Sequence, residues 1–163
     1  MYTDQLKRKL IINKPIQRIV SLVPSQTELL IDLGLEEKVV GITKFCIHPY
    51  YLKQNKKIVG GTKNIKIDVI KKLNPDIILC NKEENTKEIV AECEKIAPVH
   101  VSDIYTIDDC LELIHQYGNL FNCRTEADKI TQKINFKLND FKTFIHNKPK
   151  KKVAYFIWRN PWM

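Results

Sequence analysis

No stretch of this sequence stays apolar for long enough to cross a membrane, and the N-terminus, MYTDQLKRKLIINKPIQ, is broken by polar or charged residues every few positions. A membrane-spanning helix needs roughly 20 apolar residues, and a secretory signal an apolar core of about 7–15. Neither is visible, so the chain as written is expected to remain in the cytoplasm. Cysteine occurs five times, at Cys46, Cys80, Cys93, Cys110 and Cys123, but never as a CxxC pair. That odd, scattered set fits reduced thiols better than a disulfide framework.

Phosphate-cradling motifs are missing as well. No GxGxxG follows the first apolar run and no GxxxxGKS appears, so a Rossmann-like enzyme has only the weak Gly60-Gly61 pair to offer. Cys46 and His48 lie close together, but two ligands are too few for a zinc site and no third partner has suitable spacing. His100 falls in a predicted strand, His115 on a helix and His146 near lysines at a helix end, which are ordinary positions for imidazoles. No catalytic residue, metal site or cofactor is expected. The net charge of +8 is dispersed, and Lys150, Lys151 and Lys152 form a tight run. A nucleic-acid partner is therefore not expected, and the lysines from Lys142 to Lys152 are explained by a helix C-terminal dipole and solubility.

What the chain does have is enough apolar content, 44% of 163 residues, to bury the core of one domain. Arg18 to Val23, RIVSLV, suits a buried parallel strand that Pro24 stops. Ser25 to Glu28 reads as a capping box opening a helix through Leu29, Leu30 and Leu33, with Gly34 as its stop. Val39 to Ile42 is a second strand, followed by a loop with Phe45 and Pro49 and a turn at Gly60-Gly61. A short helix through Ile67, Ile70 and Leu73 breaks at Asn74-Pro75-Asp76, and Ile77 to Cys80 is the third strand. Ile89, Val90, Cys93, Ile96 and Ala97 line a helix, and Val99 to Val101 form a fourth strand.

A helix from Ile107 then leads through Gly118 to a longer one, from about Arg124 to Asn147, which would run about 36 Å. Val153 to Ile157 is read as a fifth strand. Alternating strands and helices of these lengths predict an α/β fold, a Rossmann-like lobe whose parallel sheet is flanked by helices on both faces. Pro24 and Ser25, at a helix start, could present backbone amides to an anionic ligand group, although plain capping accounts for them. Glu83, Glu84 and Asn85 occupy a loop at the edge where such sheets bind ligands, and a solvated polar loop is the plainer account.

Pro15 with Arg18-Ile19-Val20-Ser21-Leu22, Pro24-Ser25, Thr27-Glu28, Leu33-Gly34, Val40-Gly41, Pro49, Gly60-Gly61, Pro75-Asp76 and the long helix occur in an order that resembles the iron-siderophore and cobalamin binding proteins of ABC importers. The vitamin B12-binding branch looks nearest, and RIVSLVPSQTELL is the most specific stretch. The resemblance implies a ligand-binding lobe over residues 1–122, a long backbone helix over 123–148 and the first strand and loop of a second lobe, truncated or missing, over 149–163. It implies capture of a corrinoid or a metal-siderophore or haem complex, with ABC permease subunits as partners and a periplasmic or cell-surface location.

In that family aromatics on strand-end loops grip cobalamin, and Phe45 falls at one such position, while Thr62 and Asn81 stand where two others are replaced. Lys63 and Lys82 neighbour them, and Trp158, Arg159 and Trp162 fall where the second lobe lines the cleft, with a composition suited to stacking and ion pairing. The permease-docking carboxylate corresponds to Asp68, an aspartate where glutamate is usual. Two other functions stay open at this point, a truncated fragment without a working cleft and a cofactor-binding enzyme domain.

Overall fold

The computed structural model describes residues 2–157 and 159–162, so Trp158 lies outside the described residues. In chain order the elements are β1 (Tyr2–Thr3), β2 (Lys9–Leu10), β3 (Ile19–Ser21), α1 (Pro24–Asp32), β4 (Val39–Ile42), α2 (Leu52–Asn55), β5 (Lys57–Ile58), α3 (Ile67–Leu73), β6 (Ile77–Asn81), α4 (Lys87–Glu94), β7 (Val99–Ser102), α5 (Ile107–Leu120) and α6 (Arg124–Ile145). Strands β3 to β7 form one parallel sheet in the order β5-β4-β3-β6-β7. The chain builds outward from β3 to β5, then returns to the other side of β3. The predicted α/β class is the observed one, with the unforeseen edge strand β5.

Side chains alternate across each strand, which divides the core in two. Val20, Leu22, Ile78, Cys80, Val99 and Val101 share one cluster with Ile70 of α3 and Cys93 of α4. Their neighbours Ile19, Ile77, Leu79 and His100 are as deeply buried, and there Tyr117 of α5 meets His100 edge-on at 5.2 Å. Each fully buried Leu or Ile contributes roughly 1.5–3 kcal/mol. The start of the sheet is tied by Asp76, whose Oδ2 accepts the Gln17 and Arg18 N–H groups at 2.8 and 2.9 Å, with Lys14 Nζ 2.5 Å from Oδ1. Partial burial pushes that carboxyl up, but the donors from Lys14, Gln17 and Arg18 hold it below the usual range.

The N-terminal polarity conceals the β1–β2 hairpin, which is antiparallel and separate from the main sheet. Its turn wraps the buried Asp4, which accepts the N–H groups of Leu6 (3.0 Å), Arg8 (2.9 Å) and Val101 (3.2 Å). Arg8 pairs with the same carboxylate and donates to the Val99 carbonyl at 2.9 Å, fastening the hairpin to β7.

Three expectations need correction. The capping box does not form: α1 begins at Pro24 with Val23 as N-cap and no side-chain cap, because the fixed φ of proline suits the first helical position and starts the helix two residues early. Its other end is as expected, since Gly34 (φ 74°) donates to the Ile31 carbonyl and Leu35 to that of Leu30, a Schellman stop. Gly118 breaks nothing. It lies inside α5, where a Cβ would stand 2.7 Å from that of Ala127 on α6, so it permits close helix contact, while the chain turns at Asn122 (φ 57°). Val153 to Ile157 is not a strand, because no described neighbour completes its ladder.

The described residues divide into two units, the first ending at Thr131 and the second beginning at Gln132. Taken by itself, the second holds the remainder of α6 and a tail in which Arg159 bridges to Trp162 and Phe156 meets the Trp162 ring edge-on at 5.2 Å. Phe136, Phe141, Phe144, Tyr155 and Trp162 are exposed. Among the described residues no helix is long and apolar enough to cross a membrane.

Candidate functional site

The sheet reverses its winding between β3 and β6, and in open α/β sheets ligands bind outside the carboxyl ends of the strands at that point. Five connections leave that edge: β3 to α1, β4 to α2, β5 to α3, β6 to α4 and β7 to α5. In or beside these connections lie, in turn, Pro24 and Ser25, Phe45, Thr62 and Lys63, Asn81 and Lys82, and Tyr105. The sequence-predicted residues of the first unit other than Asp68 therefore share one edge of one sheet. Asp68 is exposed in the first turn of α3. Arg159 and Trp162 belong to the second unit and are exposed there.

Beneath this rim lies a buried polar layer that periodicity does not announce. Gln26, 2% exposed, donates from Nε2 to the Cys80 carbonyl (3.2 Å) and Ser102 Oγ (2.5 Å), and its Oε1 accepts the Tyr117 hydroxyl at 2.7 Å. One side chain thus joins α1, β6, β7 and α5. Thr27 Oγ1 donates to the Val23 carbonyl at 3.0 Å and lies 2.9 Å from Ser21 Oγ. Cys46 is buried 3.2 Å from Thr27 Oγ1 and 3.4 Å from Thr43 Oγ1, which makes it a packed thiol, while His48 is exposed. All five cysteines are free, and no group of three metal-ligating side chains occurs among the described residues.

The rim is interlocked from loop to loop. Phe45, 49% exposed, lies over Gly61, where a Cβ would come 3.1 Å from the ring, and Lys44 Nζ stands 5.0 Å from the ring centroid. Gly60 (φ 117°) permits the tight turn. The next loop residue after the glycine pair, Thr62, is buried, and its carbonyl accepts Asn85 Nδ2 at 2.9 Å. Asn85 is buried too, contrary to the solvated loop expected, because its Oδ1 accepts the Asn81 N–H at 2.9 Å and closes the β6 loop. Asn81 Oδ1 accepts the N–H groups of Glu83 (2.9 Å) and Glu84 (3.2 Å), and its Nδ2 donates to Ser102 Oγ. Lys63 donates to the Glu83 carbonyl.

At the far end, Tyr105 donates its hydroxyl to Glu83 Oε1 at 3.0 Å, Lys82 Nζ sits 5.5 Å from its ring centroid, and Lys82 pairs with Asp103 at 2.8 Å. The bond to Glu83 raises the Tyr105 hydroxyl above its ordinary pKa, and the bond to Asp103 raises the Lys82 ammonium. The backbone of Tyr105 is fixed by a real capping box, Thr106 with Asp109, in which Asp109 Oδ2 also accepts the Tyr105 N–H at 3.0 Å. Neither Tyr105 nor Gln26 stands out in the sequence. The capping pattern before α5 is the available signal for Tyr105, while Gln26 is indistinguishable from any other polar residue of α1.

A family model described as periplasmic binding protein matches residues 19–162. Among proteins of known sequence, an ABC transporter substrate-binding lipoprotein of Bacillus subtilis is 28% identical over 143 residues, which are 84% of this chain and 44% of that protein. Among solved structures, the periplasmic vitamin B12 binding protein of Vibrio cholerae superposes with a TM-score of 0.81 at 22% identity, over 91% of this chain and 58% of that one. A periplasmic heme binding protein of Pseudomonas aeruginosa gives 0.73 at 22%, over 80% and 47%. The chain spans about half the length of the relatives it matches.

Proposed function

The chain belongs to the periplasmic binding protein family, and from that premise we propose that it is the ligand-capturing lobe of an ABC-importer solute-binding protein, taking a cobalamin-like corrinoid or another planar metal complex such as haem. What supports this reading most is the rim at the switch point. An exposed aromatic, Phe45, is packed against Gly61, with Lys44, Lys63 and Lys82 along the same edge. An aromatic face with cations beside it suits a large planar ligand with anionic groups. Capture needs no bond-making, and among the described residues the edge carries no nucleophile with an adjacent base. In such a protein Asp68, exposed on α3, would supply the carboxylate that docks on permease arginines.

Equilibrium dialysis of the purified chain against cyanocobalamin and against haemin tests the reading. Saturable retention of one of them, weakened about five- to tenfold by Phe45→Ala, is the expected result. No retention of either at high micromolar ligand overturns it.

A further inference from the structure

We propose that Tyr105 is a second ligand-contacting aromatic, standing at the opposite end of the rim from Phe45. This rests on the binding reading above and names a residue for it. Tyr105 is 67% exposed although its surroundings are ordered on both sides. Its N–H is held by Asp109, its hydroxyl by Glu83, and Lys82 stands by its ring, itself tethered to Asp103. An exposed aromatic immobilised at so many points loses little freedom when a ligand stacks on it, which is what a preorganised contact requires.

A continuous series of contacts connects it to Phe45. Phe45 lies on Gly61, Thr62 receives Asn85, Lys63 donates to Glu83, and Glu83 accepts from Tyr105. The series crosses the loops after β4, β5, β6 and β7, so the two rings are ends of one braced edge. Tyr50 is a useful contrast, since it is 80% exposed and its one aromatic neighbour among the described residues is Tyr51, edge-on at 6.2 Å.

The test uses Tyr105→Ala, Tyr105→Phe and Tyr50→Ala in the whole chain, each dialysed against cyanocobalamin and haemin. Tyr105→Ala is expected to weaken retention of the bound ligand about fivefold, Tyr105→Phe less than about twofold and Tyr50→Ala not at all, with thermal midpoints unchanged. Stacking is carried by the ring face, so the phenylalanine variant separates ring contact from the Glu83 bond. Unchanged affinity in Tyr105→Ala, or equal losses in Tyr105→Ala and Tyr50→Ala, overturns the proposal while Phe45→Ala still reports on the binding reading. Failure of the unaltered chain to retain either ligand overturns both.

Discussion

Replacing Gln26 with leucine removes the one side chain that joins α1, β6, β7 and α5 beneath the rim. The lost partners are unequal. Ser102 Oγ keeps Asn81 Nδ2 at 2.9 Å, so it is not stranded. The Tyr117 hydroxyl, on a fully buried residue, has no other partner among the described residues and is left orphaned. A stranded buried hydroxyl costs about 1–3 kcal/mol and each net hydrogen bond about 1 kcal/mol, so Gln26→Leu should lose about 3 kcal/mol. Tyr117→Phe alone should lose about 1–2 kcal/mol, because the Gln26 oxygen then lacks its donor. In the double variant no hydroxyl remains to strand, and its loss should fall short of the sum of the singles by about 1–2 kcal/mol. Urea unfolding followed by far-ultraviolet circular dichroism measures all four proteins. Additivity within about 0.5 kcal/mol, or a loss below about 1 kcal/mol for Gln26→Leu, would refute the reasoning.

Other outcomes follow from the same packing. Burial holds the His100 imidazole below its ordinary value of 6.5, with its Nδ1 unpaired and Nε2 against Gln116 Oε1 at 2.9 Å. The unfolded chain then binds the proton more readily than the folded one, so stability is complete above about pH 6.5 and declines as pH falls toward the folded value. His100→Phe, compared by urea midpoint at about pH 7.5 and about pH 5, should show a smaller decline than the parent, and an equal decline would assign the effect elsewhere. Gly118→Ala gains roughly 1 kcal/mol of helix propensity but drives a methyl to 2.7 Å from Ala127. A net loss of about 1 kcal/mol is expected from overpacking, recovered in part by adding Ala127→Gly, and a gain in thermal midpoint would show that the helices separate freely.

The parallel lobe was legible because strands β3, β4, β6 and β7 are short apolar runs, the first ended by Pro24, and the helices between them have clear apolar spacing and stop before Gly34, Pro75 and Pro98. Strand β5 was not, since Lys57–Ile58 is too short for any periodicity and exists only through its pairing with β4. The β1–β2 hairpin escaped for a related reason. Asp4 reads as a surface residue until Arg8 and the Val101 N–H satisfy it in the interior. Ser25 misled because a capping pattern was present in letters, and Pro24 took the position that decides the helix start. Phe45, Lys63, Asn81 and Lys82 were reachable through resemblance and strand-end position, and Tyr105 needed the contacts of Glu83 and Lys82 around it.

Local sequence by itself determined the α/β class, the order of β3, β4, β6 and β7 with α1, α3, α4, α5 and α6, and the Gly34 and Gly60 turns, because periodicity, proline and positive φ act within a few residues. The tertiary structure alone decided which loops share an edge, which polar groups are buried and which aromatics stay exposed. Those depend on hydrogen-bond partners tens of residues away, such as Tyr117 for Gln26, 91 positions along the chain, and no local pattern encodes them.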